Sequence, residues 1–324
     1  MTEKGKTTDG LMRHIRDEHH INIGGSKKKK ELLEMGYYHG YKAYRFLRTI
    51  NNPFVITSFE EIKSIYDFDM ELKEALYSSV MQIETILKNY TIAIIVSNDN
   101  TDLESIFKLY LNRYKEFSVG SSKYKDEMKQ RLQLKQNFDS VIAQNYKDKA
   151  VIQHYVHNNK PVPLWALFEL ITLGDYGKFL LCLNTSTRIK LEDKIGIKDI
   201  STDTDGSMLP KHVFILKELR NAIAHNSIIF DCRFKNIGIR NTIIAQLCVK
   251  TGVNNISFNS IIDYLVLIVY YQKNLGETNK KMRLVIRNVI RIVNKFKQNI
   301  NKSTFDKILG TDVYNKLISI ENYI

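Results

Sequence analysis

The sequence predicts an all-α protein, and three observations carry that expectation. Only 4 Pro and 15 Gly interrupt 324 residues, of which 44% are hydrophobic. Apolar residues recur every three to four positions in one segment after another, which is the spacing of a single helix face. No stretch shows the strict alternation of a half-buried strand, and no internal repeat is visible. The length suits one large or two ordinary domains. We read residues 1–30 as a basic arm, flexible or with a short helix, and residues 31–324 as a single compound helical domain.

The elements follow in order. Gly24-Gly25 and the run Lys27–Lys30 close the arm, and a helix starts at about Lys28 with Leu32, Leu33 and Met35 on it. An aromatic cluster follows (Tyr37, Tyr38, Tyr41, Tyr44, Phe46), read as packing residues, until Asn51-Asn52-Pro53 breaks the chain. Ser58 and Glu61 form a capping box before a helix through about Tyr66. A long helix runs from about Met70 to Ser97, with Leu72, Leu76, Val80, Ile83, Leu87 and Tyr90 as its stripe, and Asn98-Asp99-Asn100 end it. Thr101 to Phe117 is another helix, 118–127 a polar connector and 126–147 a basic helix. Pro161 and Pro163 precede a helix carrying Trp165, Leu167, Phe168, Leu170 and Ile171, which Gly174 closes. Trp165 is read as core. Residues 196–209 form a loop rich in Asp, Ser and Thr, followed by helices at about 210–226, 239–251, 257–274 and 279–300, and a C-terminal one from about 303.

Composition narrows the function. Lys+Arg 48 against Asp+Glu 35 gives a net charge of +13, which favours a polyanionic partner, nucleic acid before an anionic membrane. The longest apolar run, Ile261 to Tyr271, is too short to span a bilayer and carries Asp263. The charged N-terminus lacks the apolar core of a signal peptide. Cys182, Cys232 and Cys248 are odd in number and widely spaced, as suits buried thiols in a reducing cytoplasm. His154 and His157 are three apart, but no neighbouring Cys or carboxylate cluster makes them a metal site, and no cofactor is expected.

The stretch Arg220-Asn221-Ala222-Ile223-Ala224-His225 holds the candidate chemistry. It offers a fixed cation, a polar neighbour and a group that exchanges protons near neutral pH. Cleaving RNA without a metal requires little more, because the ribose 2′-hydroxyl is itself a nucleophile and the protein need only move protons and stabilise the phosphorane. Arg13 with His19 or His20 has similar spacing, without the Asn. Val213, Leu216, Leu219 and Ile223 form an apolar face beside which Asn221 and His225, four apart, are displayed. The bland alternative is a solvated face with a histidine near the helix end. Glu84 and Lys88 lie one turn apart and make either an ordinary ion pair or, through Glu84, a support that orients Arg220 or His225. Arg283, Arg287, Arg291 and Lys295 repeat every four residues, as either a phosphate track or a solvated face. Lys125, Lys129, Arg131 and Lys135 form a weaker basic cluster.

Five blocks in order resemble the Abi-like family of abortive-infection proteins (the AbiD/AbiF group), placed in the HEPN superfamily of helical nucleases. They are Gly36-Tyr37-Tyr38-His39-Gly40-Tyr41-Lys42, the stretch Phe59 to Leu72, Ile83-Glu84-Thr85, Val162 to Leu170 with Gly174, and Leu219-Arg220-Asn221 through His225-Asn226. The resemblance implies a HEPN-like helical bundle with a core at roughly 68–275, additional N-terminal helices and basic C-terminal helices at 279–324. It implies an endoribonuclease or toxin used in phage defence, with Arg220 and His225 catalytic and Asn221 supporting. It also implies ends of 2′,3′-cyclic phosphate and 5′-hydroxyl, and a small non-coding RNA as a partner beside the substrate RNA. One motif supplies one histidine to a two-proton reaction, so a homodimer with facing motifs is expected. The competing readings are a non-catalytic RNA-binding scaffold and a structural protein whose charge reflects an AT-rich genome.

Overall fold

Ser58 accepts the N–H of Glu61, and the Glu61 carboxylate accepts the N–H of Ser58, so that the first orphan donors of a long helix are satisfied reciprocally. In the computed structural model, which describes residues 5–49, 51–96, 102–199, 201–236 and 238–324, that box starts α3 (Phe59–Ile95), 37 residues long. The sequence suggests two helices here, parted near Asp67–Asp69, but the structure has one. Asp67 is engaged by Lys63 at 2.5 Å and Asp69 is buried among donors, so neither side chain competes for the helix backbone. The expected stop at Asn98-Asp99-Asn100 lies outside the described residues.

Among the described residues the later helices that pack most extensively on α3 are α9 (Thr185–Ile195), α10 (Met208–Ala224), α12 (Ile261–Asn274) and α13 (Asn279–Asn299). Along α12 every residue from Ile261 to Gln272 is buried, as an element apolar on all sides must be. No helix of the described residues is long and apolar enough to cross a membrane. On α13 the apolar face of Met282, Ile286, Val289, Val293 and Phe296 is buried, and the Phe296 ring stacks on Phe68 at 4.1 Å. The remaining helices surround this layer: α1 (Thr8–Asp17), α2 (Lys28–Met35), α4 (Leu103–Leu109), α5 (Ser122–Asn145), α6 (Ala150–His157), α7 (Leu164–Phe168), α8 (Leu173–Cys182), α11 (Asn241–Thr251), α14 (Lys302–Leu309) and α15 (Val313–Tyr323). The chain is all-α. Among the described residues β pairing is confined to isolated bridges.

Several boundaries differ from the sequence reading. The N-terminal stretch is no free arm: α1 buries Ile15 completely, Ile21 is buried after it, and His19 bonds the Tyr41 hydroxyl at 2.9 Å. Ile15 and Ile21, with Leu11, Met12 and Ile23 packed beside them, dock this polar segment on the core. Gly174 does not end a helix; Thr172 caps α8 by accepting from the Asp175 N–H, and Gly174 sits in its first turn. Thr101–Phe117 is not one helix but α4 followed by a 3-10 turn, Arg113–Glu116. Trp165 is 44% exposed rather than core, because five-residue α7 turns Leu164, Ala166, Leu167 and Phe168 inward and leaves the indole edge-on to Tyr155.

The start of α10 is held by acids from outside it. Asp203 accepts the N–H groups of Ser207 and Met208, and Glu192 accepts that of Leu209. Burial pushes the Glu192 carboxyl up to about 8. One turn into α10, His212 is fully buried, bonded to the Tyr271 hydroxyl at 3.0 Å, with Nε2 unpartnered. Burial holds its pKa down at about 3, from 6.5.

A depressed histidine stabilises the fold fully above pH 6.5 and progressively less as pH falls toward about 3, since only the unfolded chain takes up the proton. Between pH 6.5 and 4.5 this one group should remove about 2–3 kcal/mol of stability. Urea unfolding of His212→Gln at pH 7 and pH 4.5 should show a flatter acid dependence than wild type by about one proton. Equal slopes would mean that His212 does not govern acid sensitivity.

Candidate active site

The segment Arg220–His225 forms the last turn of α10, and His225 is its C-cap, its N–H donating to the Asn221 carbonyl while the Asn226 N–H donates to that of Ile223. His225 is exposed. Arg220 turns toward α3, where its Nε donates to Glu84 Oε2 at 3.2 Å and one Nη donates to Asn221 Oδ1 at 3.2 Å. Glu84 is buried and also takes Lys88 Nζ at 2.9 Å, while Lys88 donates to the Ile171 carbonyl at 2.9 Å. Glu84 is therefore both partner in an intrahelical ion pair and anchor of Arg220. The second Nη of Arg220 has no protein acceptor among the described residues.

The residue after His225 is fixed from α3 as well. Asn226 takes a left-handed backbone, φ 52°, a conformation that Asn tolerates better than most residues. Its Oδ1 accepts from Lys73 Nζ at 2.8 Å, and Lys73 pairs with Asp69 at 2.7 Å. Asp69 is completely buried and also accepts the N–H groups of Ile229 and Phe230, each at 2.7 Å, and the hydroxyl of Tyr44 at 2.7 Å. Burial, and then Asp69 itself, push the Tyr44 hydroxyl far up, so that it remains the donor.

An open cleft of about 680 Å³ lies beside this turn. Asn221, His225, Asn226 and Ser227 line one side, and His39 and Ala43 another. His39 is exposed and sits in a π-helical turn, Tyr37–Lys42, where the Tyr41 N–H reaches back to the Gly36 carbonyl. Such turns are rare and concentrate at functional sites. Gly40 admits this one: a Cβ there would lie 2.2 Å from the Met35 carbonyl oxygen. Arg233 ties the two sides, pairing with Asp231 and donating to the carbonyls of Ala43 and Phe46. The cleft thus joins Asn221 and His225 with a second histidine. Arg220 does not line it and reaches it only through Asn221.

Sequence reasoning missed Asp69, Lys73, His39 and Arg233 as parts of this site. For two of them a signal was present: Asp69 and Lys73, four apart, interrupt the apolar face shared by Leu76 and Val80, where charged residues stay only if paired.

The basic surfaces are less uniform than their spacing suggests. Arg283 and Arg287 are exposed, but Arg291 and Lys295 both pair with Glu71. Lys125 and Lys129 are exposed on α5. Arg131 is not a free cation: it donates to the carbonyls of Leu111 and Phe107, closing the end of α4, and lies over the Phe107 and Tyr114 rings. Lys135 pairs with Glu104. Among the described residues no group of three or more His, Cys, Asp or Glu is placed to hold a metal.

Residues 30–231 match the family model described as Abi-like protein. No curated protein and no solved structure matches the chain.

Breaking a buried ion pair by removing one partner costs about 3–5 kcal/mol. Asp69→Ala should destabilise by that order, lowering the urea midpoint, and should expose the turn at Asn226 to hydrogen exchange. Wild-type stability in this variant would show that Asp69 does not hold the turn.

Proposed function

The chain belongs to the family of Abi-like proteins, and from that premise we propose that it is a metal-independent endoribonuclease of the HEPN type serving phage defence by abortive infection. The observation that carries the reading is the meeting of Asn221, His225 and His39 in one open cleft, with Asn221 bonded to Arg220. Those groups match the needs of RNA transesterification. His225 takes the proton of a 2′-hydroxyl, whose oxygen attacks the adjacent phosphorus. Arg220, oriented by Glu84 and outside the cleft lining until RNA binds, turns its spare Nη past Asn221 to stabilise the negative charge that grows on the phosphoryl oxygens. The P–O5′ bond breaks, and His39 gives a proton to the leaving 5′-oxygen. The products are a 2′,3′-cyclic phosphate and a 5′-hydroxyl, with no net change in protons.

The exposed end of α10, from Ala224 to Ser227, is also where a second copy in two-fold contact would present another Arg220 and His225. In that arrangement the partner's motif, not His39, supplies the second proton. The basic face of α13 guides the RNA backbone, and a cognate small non-coding RNA lying over the same cleft would restrain cleavage. A scaffold that only binds RNA would need none of the proton-transferring groups.

Cleavage should persist in EDTA and leave cyclic phosphate ends. His225→Ala should slow it by about 10² or more without loss of fold. His39→Ala should slow ordinary RNA similarly, yet cleave RNA with a 5′-bridging sulfur at near the wild-type rate, since a thiolate leaves without protonation. His225→Ala should stay slow on both substrates. Full activity of His39→Ala on ordinary RNA would transfer the acid role to a partner copy, and full activity of His225→Ala would end the nuclease reading.

For RNA binding, the pairing of Arg291 and Lys295 with Glu71 makes Arg283 and Arg287 the stronger contributors. The double change Arg283→Gln with Arg287→Gln should flatten the plot of log affinity against log salt by about 1–2, and weaken many RNAs alike. An unchanged slope would make the α13 face merely solvated.

A further inference from the structure

A second cavity, of about 530 Å³, lies beyond α10 from the cleft, and Glu218 lines both. Its charge is one-sided. Arg113, Lys123, Arg188, Lys211, Lys235 and Arg240 all line it. The acids there are already engaged: Asp205 at 2.7 Å and Glu127 at 3.4 Å on Arg113, and Glu218 at 2.7 Å on Lys217. Among the described residues Lys123, Lys211, Lys235 and Arg240 have no carboxylate partner, and Lys211 and Lys235 bond only neutral oxygens, of Ser207 and Asn259.

The deepest cation is Arg188, 3% exposed. It donates to the carbonyls of Leu183 and Leu181, and Asp205, Glu127 and Glu116 lie near it without a direct ion pair. Burial, and then the nearby Arg113, bring its pKa down to about 10. Arg113, itself 8% exposed, leaves its Nε without a hydrogen bond. The two buried guanidiniums are balanced by Asp205, Glu127 and Glu116, so the cations left to meet an anion are Lys123, Lys211, Lys235 and Arg240 on the cavity wall.

Charge alone would suit any anion, but the remaining wall is apolar. Phe214, Ile239 and Ile243 form it, and the Phe214 ring lies against Gly177, where a Cβ would come within 3.0 Å of its Cζ. Cations on one side and a flat apolar wall on the other fit a molecule with phosphates at one end and an aromatic ring at the other. We infer that this cavity binds a nucleoside phosphate, its base against Phe214 and Ile243 and its phosphates among Lys211, Lys235 and Arg240. The nucleotide is either free in solution or one residue of an RNA whose strand continues past Glu218 into the cleft. The inference is independent of the cleavage chemistry, because none of its residues moves a proton there.

Calorimetric titration of the full chain carrying His225→Ala, which would spare an RNA probe, tests this. ADP should bind, and adenosine and pyrophosphate should each bind at least tenfold more weakly, because each lacks one half of the recognised group. Lys235→Gln with Arg240→Gln should weaken ADP at least tenfold at an unchanged melting temperature. A single-stranded RNA dodecamer separates the sources: if the cavity holds an RNA residue, the dodecamer displaces ADP and loses affinity in the same double variant; if it holds a free nucleotide, the dodecamer binds alongside saturating ADP. No ADP binding, pyrophosphate binding as tight as ADP, or undiminished ADP binding in the double variant would each overturn the inference.

Discussion

One buried carboxylate governs the geometry of the candidate site. Asp69 has no exposure, and its four donors come from three parts of the chain: Lys73 from its own helix, Tyr44 from the N-terminal block, and two backbone N–H groups from the loop after α10. A charge at that depth is tolerable only if every lone pair is occupied. Its partners therefore have little freedom. Through Lys73 it sets Asn226, next to His225, and through Tyr44 it sets the segment that carries His39. Both histidine-bearing walls of the cleft are referenced to a single point on α3.

A second acid on the same helix does the corresponding work at the other end of the motif. Glu84 orients Arg220 while remaining paired with Lys88. Arginine suits this role because its planar fork can hold an acid with one edge and leave donors on another. The family match over residues 30–231 includes both acids and both histidines. The C-terminal helices beyond it supply α13, which covers α3 and bears the basic face.

Much of the fold was legible, and the gaps have physical causes. The capping box at Ser58 and Glu61, the α10 stripe and the amphipathic α13 are local signals, and the structure contains all of them. The continuity of α3 was not legible, since Asp67 and Asp69 look like helix breakers until their tertiary partners are seen. The helices α8 and α9 were not legible because Gly174, which lies in the first turn of α8, reads as the stop of the helix before it. In the site, Arg220, Asn221, His225 and the Glu84–Lys88 pair could be picked out from one short motif and one spacing. His39 could not, because it comes from the far end of the sequence and a π turn has no periodic signature. Nor could spacing reveal that Arg131 is used up on backbone carbonyls.

The packing of α3 against α13 also has a cost in time. The ribosome completes α3 about 180 residues before α13 begins, an interval of roughly 10–40 s at about 5–20 residues per second. Throughout that interval Phe68 and its neighbours lack the helix that covers them. The nascent chain thus carries an uncovered apolar strip, a binding site for chaperones and a liability for aggregation. Docking of α13 closes that strip and brings the basic face into place in the same step.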